Sequence, residues 1–390
     1  MKEFLDSVYW QLIYKLVVKE KYHLVALSES QNEMWLQSTN KKNQAKLIRI
    51  LRYDLDWGNW MRRDMENVIK RLDFYRKKHH LHKLEAVNIY VSSYPPVDEY
   101  VDQLSKPLSL KRSSLHTYLI TSENAQNDVR EVEAKLTIPL EINLKDDYVN
   151  DQTIQVLKSE VLVTATERVK GLKALFQAGK PRWTYVFMVI QLLMFLLLER
   201  FGGSTDPRTL IQFGAKYTPL ILEGEWWRFF TPIFLHIGFL HLFMNTIALL
   251  YLGRLIEQIY GNYRFVYIYL FSGILGSIAS FVFSPSLSAG ASGAIFGCFG
   301  ALVYFGMINP KVFLQTMGSN VIVLIGINVV IGFLVPSIDN SGHLGGLLGG
   351  FLAAGAVSLP SRKNFVSQAA FIIATIIILF VLLIKGYGVI

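Results

Sequence analysis

Cysteine is nearly absent from this 390-residue chain. Cys298 stands alone, so no internal disulfide is possible. Charge is scarce in one half. Residues 183–390 carry 16 of the 69 Asp, Glu, Lys and Arg side chains, and the first 182 residues carry the other 53. That asymmetry reads as a soluble N-terminal domain, 1–175, followed by a membrane domain, 176–390. No internal repeat and no low-complexity stretch is visible. Nor is a cleavable leader expected at Met1. The opening "MKEFLDSVYWQLIYKLVVKE" has charges at both ends and in the middle, so the N-terminal domain is expected to stay in the cytoplasm. The net charge of +9 does not call for nucleic acid, because much of the basic excess flanks apolar segments.

Long apolar runs are what the second half has in abundance. Seven can be drawn, at 183–200, 238–257, 264–283, 291–308, 319–337, 341–359 and 367–385, each near the roughly 20 residues that span a bilayer. Lys180, Arg182, Arg254, Arg264, Lys311, Arg362 and Lys363 all fall on one side if the N-terminus is inside, as the positive-inside rule requires. The 201–237 loop then lies outside. Its own charges, Arg208, Lys216 and Arg228, run against the rule, and its "EWWRFFTP" suits the headgroup layer.

With this topology four polar side chains share one depth below the outer surface. Ser292 opens the fourth segment and His343 the sixth. His241 and Asn245 lie four apart on one face of the second. Polar groups at that depth are costly unless they face protein or water, and they mark function. Gly293 and Gly297 on the fourth segment match a stripe of Gly342, Gly346 and Gly350 on the sixth, a spacing that lets two backbones touch. Each stripe ends at a reactive residue. Close contact would bring the Ser292 hydroxyl to the His343 imidazole, the base that a serine needs before it is nucleophilic. Asp339 sits in the loop before the sixth segment, so the reading is a Ser–His dyad and not a triad. His241, Asn245 and the Ser292 N–H can donate to an oxyanion. An ion transporter fits poorly: the cluster has no acidic residue within the segments, and no inverted repeat is seen.

These residues resemble the rhomboid intramembrane proteases. "GASGAIFG" carries the family's GxSG motif, with Gly290 and Gly293 around the serine. "HIGFLHLFMN" is similar to the HxxxN helix, with His236 as a further histidine upstream. "GHLGGLLGG" is similar to the HxxGxxxG helix, and "WWR" to the Trp-Arg element. The resemblance covers about 183–360 and implies a helical polytopic fold of six transmembrane helices plus one. It implies hydrolysis of transmembrane substrates within the bilayer of a bacterial cell membrane, near the outer face. Ser292 would be the nucleophile, His343 the general base, and His241 and Asn245 the oxyanion donors, with no cofactor required. Two positions depart from the pattern: Phe296 replaces a tyrosine that stacks on the histidine, and Gly342 replaces alanine. An inactive, client-holding relative is the rival reading, and the intact Ser292 and His343 argue against it. Cys298 reads as a packing residue.

The N-terminal part predicts a small α/β or α+β domain. Strands are expected in "YHLVALSES", "NEMWLQST", "AKLIRILRY", "LEAVNIYVSS" and "LHTYLITSE", with helices over "WGNWMRRDMENVIKRLDFYRKKHH" and near 152–178. Asp54, Asp56 and Asp64 form a carboxylate cluster with two readings. One is a divalent-cation site, with Glu66 nearby; the other has Asp54 and Asp56 capping the helix while Asp64 and Glu66 are solvated. The resemblance extends to the extramembrane domain of some Gram-positive rhomboids, where regulation by a divalent cation is implied. "HHLH" at His79, His80 and His82 is a second candidate for a cation, set against the reading as the exposed basic end of a helix.

Overall fold

β-branched and aliphatic residues crowd "LIRIL" and "AVNIYV" too continuously for strands with one wet face, and both become interior strands of a sheet. The computed structural model describes residues 2–38, 45–79, 81–98, 100–144, 150–335, 338–362 and 364–388. They fall into two units, Met1–Lys170 and Gly171–Ile390.

In the first unit α1 (Lys2–Tyr14) runs on as a π turn (Lys15–Lys19). There follow β1 (His23–Leu27), β2 (Glu33–Gln37), β3 (Leu47–Arg52), α2 (Gly58–Lys78), β4 (Leu84–Ser92), α3 (Val101–Ser105), β5 (Leu108–Leu110), β6 (Ser113–Thr121), α4 (Ala125–Leu136) and α5 (Asp151–Ala174). The sheet order is β1-β2-β3-β4-β6-β5, with β3, β4 and β6 parallel and the other pairs antiparallel. The parallel centre makes this an α/β unit. One face is covered by Met61, Met65, Val68, Ile69 and Leu72 of α2. The other is covered by α1, α4 and α5 through residues such as Leu12, Val132 and Val161.

Arg49 interrupts the apolar run of β3 and is 4% exposed. Its Nε donates to Glu33 at 2.7 Å, and Nη1 and Nη2 fork onto the two oxygens of Asp64 at 2.6 and 3.2 Å. Nη1 also reaches Asn88 Oδ1 at 3.1 Å, and the Tyr90 hydroxyl donates to Asp64 at 2.6 Å. Asp64 is therefore an ion-pair partner inside the fold. Asp54 accepts from Arg52 and from the Ser93 N–H, both at 2.8 Å, and Asp56 is exposed. The three carboxylates do not converge, and no three His, Cys, Asp or Glu side chains among the described residues form a group that could hold a metal ion. The expected caps are also corrected. Asp98, from the distant 93–100 loop, accepts from the Gly58 N–H at the start of α2, a contact that local spacing could not reveal. At the other end of α2, the His79 ring packs against Tyr75 at a tilt of 33° with ring centres 4.1 Å apart and His82 is exposed; His80 lies outside the described residues.

The second unit contains α6 (Trp183–Arg200), α7 (Pro207–Gln212), α8 (Thr218–Leu222), α9 (Phe239–Tyr260), α10 (Asn262–Phe283), α11 (Ser292–Ile308), α12 (Pro310–Thr316), α13 (Gly318–Leu334), α14 (Asn340–Val357) and α15 (Phe365–Gly386). Each of the seven apolar segments has become a helix. α6, α9, α10 and α15 are long and apolar enough to cross a membrane, while α11 and α13 are shorter, at 17 residues each. In α14 six of 18 residues are glycine, which dilutes its hydropathy. α10, α11 and α14 form the centre. A Cβ on Gly346 or Gly350 of α14 would overlap the carbonyl of Gly293 or Gly297 of α11. A Cβ on Gly276 of α10 would lie 2.7 Å from the Gly342 carbonyl. The small-residue stripes thus join three backbones, not two.

Glu257, fully buried at the end of α9, accepts from the N–H groups of Arg182, Trp183 and Thr184 at 3.0, 2.9 and 3.1 Å, and from the Thr184 hydroxyl at 2.9 Å. It satisfies the orphan donors that open α6, where a helix dipole favours negative charge.

Arg49→Met leaves Glu33 and Asp64 partly buried without their cation and is expected to destabilise the N-terminal unit by about 3–5 kcal/mol, read by chemical unfolding. Burial raises the Glu33 carboxyl, but the hydrogen bond and charge of Arg49 outweigh it and hold it below its ordinary 4.5. Its contribution is therefore complete above pH 4.5 and is lost as pH falls through the lowered folded value. Glu33→Gln is expected to flatten that acid-side loss.

Candidate active site

α11 begins at Ser292, and α14 begins at Asn340 with Asp339 as its cap: Oδ1 accepts from the Gly342 N–H at 3.1 Å. His343 therefore sits in the first turn of α14, facing the first residue of α11 across the glycine seam. Its Nε2 is 2.8 Å from Ser292 Oγ. Phe296, one turn along α11, stacks on the imidazole with ring centres 4.3 Å apart and planes 13° apart. The ring that replaces tyrosine thus keeps the stack and holds the imidazole flat. No partner for His343 Nδ1 is found among the described residues, and Asp339 bonds the helix end instead of the ring.

His241 lies in the first turn of α9. Gly290, at φ +152°, presses on it so closely that a Cβ there would come within 2.6 Å of its Cε1. The fully buried His236 has its ring 5.3 Å from that of His241, and its Nε2 accepts from the Ala291 N–H at 3.5 Å. Asn245 is 6% exposed and donates one amide hydrogen to the His241 carbonyl at 2.9 Å, which leaves the second for another acceptor. The N–H of Ser292 has no intrahelical acceptor because of its place at the helix start. All eight candidate side chains or glycines, Ser292, His343, His241, Asn245, Phe296, Gly290, Gly293 and His236, thus belong to one cluster. Cys298 is fully buried in the apolar core of this unit.

In the 201–238 loop the tryptophans and the arginine of "EWWRFFTP" part ways. Trp226 and Trp227 point outward, 69% and 44% exposed, but Arg228 turns in. Its Nη1 donates to the carbonyls of Ile211 and Ala215 at 2.7 and 3.1 Å, and its Nε donates to Glu225 at 2.5 Å. Lys216 is also fully buried. Two of the three charges that ran against the positive-inside rule are therefore structural, bound by protein carbonyls. Sequence reasoning missed Lys216, Glu257 and Gly276 as structural residues. The available signal was a lone ion or glycine in an apolar setting, without a visible partner.

The Rhomboid domain model matches residues 223–360. "Rhomboid protease GluP" of Bacillus subtilis (strain 168) is 42% identical over 364 residues, 93% of this chain and 71% of that protein. The chain belongs to the rhomboid family. Within the same family, "Putative rhomboid protease YdcA" of the same bacterium is 38% identical over 34% of this chain and 67% of its own length. "Rhomboid-like protease 1" of Toxoplasma gondii is 41% identical over 36% of this chain and 50% of its own length. With 93% of the chain aligned, the match takes in most of the N-terminal α/β unit as well as the helices, so the chain is a rhomboid of the GluP type. The chain is a serine-type intramembrane protease.

Gly290→Ala adds a methyl where the backbone is strained and His241 is in contact. It is expected to lower cleavage of a transmembrane substrate by about 10-fold or more, as small misplacements of catalytic groups do, with the protein still folded by thermal denaturation.

Proposed function

We propose that Ser292 and His343 act as a catalytic dyad that hydrolyses peptide bonds of transmembrane proteins near the outer face of the bacterial cell membrane. The 2.8 Å contact between Nε2 and Oγ carries this reading. His343 takes the Ser292 proton as Oγ attacks the scissile carbonyl, and the ring then gives that proton to the leaving amine. The acyl-serine is released by water, activated by the same imidazole. The developing oxyanion is met by the Ser292 N–H, the second Asn245 amide hydrogen and His241, donors whose loss typically costs a few kcal/mol of barrier. This chemistry calls on side chains and backbone alone.

Depth and sidedness follow from helix length and charge. Seventeen residues of α11 give about 26 Å, short of the ~30 Å hydrocarbon core, so a helix anchored at one face begins below the other. Lys180, Arg182, Arg254, Arg264, Lys311 and Arg362 lie at the opposite ends of the helices from Ser292, which supports a cytoplasmic N-terminal unit and an active site opening outward. Lys363, counted with them from sequence, lies outside the described residues. A substrate helix must unwind locally to offer its carbonyl, because a helical backbone keeps it hydrogen-bonded. The N-terminal domain, 1–175, is assigned regulation or substrate recruitment.

Fluorophosphonate labelling tests the dyad. Wild-type protein is expected to form an adduct that Ser292→Ala abolishes, and both Ser292→Ala and His343→Ala are expected to cut substrate cleavage by about 10³-fold or more. Unchanged cleavage by Ser292→Ala would remove the assignment.

A further inference from the structure

Lys216 is an ammonium with no exposure, set in the loop between α6 and α9, and the chemistry above gives it no part. Its Nζ donates to the carbonyls of Ser284 at 2.6 Å and Ser286 at 2.9 Å. Its backbone N–H donates to the Ser288 carbonyl at 2.9 Å, and its own carbonyl accepts from the Ser288 N–H at 3.1 Å. All four bonds go to one stretch, 284–291, which joins the end of α10 to Ser292. The Gly290 N–H adds a bond to the Pro232 carbonyl at 3.0 Å. Residues 284, 286, 288 and 290 are therefore tied in turn to the 201–238 loop, along one edge of an extended segment. The intervening Leu287 and Ala289 pack with Leu198, Leu210, Ala215 and Leu235.

A buried ammonium is a costly way to hold a loop by packing alone, because an apolar side chain would fill the same slot without desolvation. What an ammonium adds is several fixed donors on one atom. Ser284 is the C-cap of α10, so its carbonyl belongs to the negative end of a 22-residue helix dipole, where a cation is favoured. Burial lowers the ammonium to about 8, and the carboxylate of Asp339, the cap of the helix that carries His343, pushes the other way.

We propose that Lys216 is a positioning residue of this protease: by fixing the backbone of 284–291 it sets Ser292 Oγ on His343 Nε2 and Gly290 against His241. The inference rests on Ser292 as nucleophile. It predicts that removal of the ammonium injures the chemical step and not merely the fold.

The full-length protein in liposomes decides it, with Lys216→Met, Lys216→Gln and Lys216→Arg beside Glu257→Gln, a change at the far end of the same helical unit that lowers stability without touching the serine. Measured are melting temperature, fluorophosphonate labelling rate at Ser292, and kcat and KM on a transmembrane substrate. Lys216→Met is expected to lose about 10- to 100-fold in kcat and in labelling rate. KM should stay within about twofold, as when only transition-state alignment is lost. Lys216→Arg should recover most of the loss, and Glu257→Gln should keep wild-type kcat at a comparable melting temperature. If Lys216→Met does not fold, Lys216→Gln carries the same comparison. A folded Met or Gln variant with wild-type kcat overturns the proposal, as does a loss that Glu257→Gln shares in proportion to melting temperature. Labelling of wild type that survives Ser292→Ala overturns the nucleophile assignment and this inference with it, and it is read before any Lys216 variant.

Discussion

Backbone contact between α11 and α14 is the constraint on which this protease depends. A serine hydroxyl and an imidazole share a proton only within about 3 Å, and each sits on the first turn of its own helix. Side chains larger than hydrogen at Gly346 or Gly350 would overlap the backbone of α11 and hold those helices apart. In a bilayer no hydrophobic effect drives helices together, so close packing of small residues and interhelical hydrogen bonds must do so. α10 completes the arrangement: Gly276 admits the Gly342 carbonyl, and the Ser272 hydroxyl stands against Gly297 while bonding carbonyls of its own helix at 2.6 and 3.0 Å.

Around that seam the ions are used as structural fittings. Glu257 closes the start of α6, Arg228 folds the 201–238 loop onto its own carbonyls, Lys216 ties that loop to the segment before Ser292, and Asp339 caps α14. Each satisfies backbone groups that helix ends and irregular segments leave unpaired in a region poor in water. The pattern explains why so few charges remain in this half of the chain and why those present are not interchangeable. The N-terminal unit uses a similar device in a different solvent: the buried Arg49, alone in a run of aliphatic residues, gathers the half-buried Glu33 and Asp64 and the buried Asn88 into one network.

The two parts differ in how their chemistry is arranged. In the helical unit the candidate groups are few and held by packing, with Phe296 flat on His343 and Gly290 against His241. In the α/β unit two of the three acidic residues that suggested a cation site, Asp54 and Asp64, pair with arginines, a tyrosine and one backbone amide while Asp56 is exposed, so the carboxylates that sequence placed together serve separate parts of the fold.

Much of this was legible from residues alone. Seven apolar runs gave seven helices because a bilayer admits little else, and alternation and β-branching marked five of the six strands. The shared spacing of the glycines and the positions of Ser292 and His343 at helix starts were enough to bring the two together on paper. β5 was not legible, being three residues long and defined only by its partner β6, and α1 was passed over because its charges hid an amphipathic face. What tertiary structure alone decided was the partner of every isolated ion: Asp64 with Arg49, Glu257 with the start of α6, Lys216 with Ser284 and Ser286. Periodicity reports which face of an element is apolar, but a hydrogen bond between residues 70 apart depends on how the elements cross, and only the packed chain fixes that.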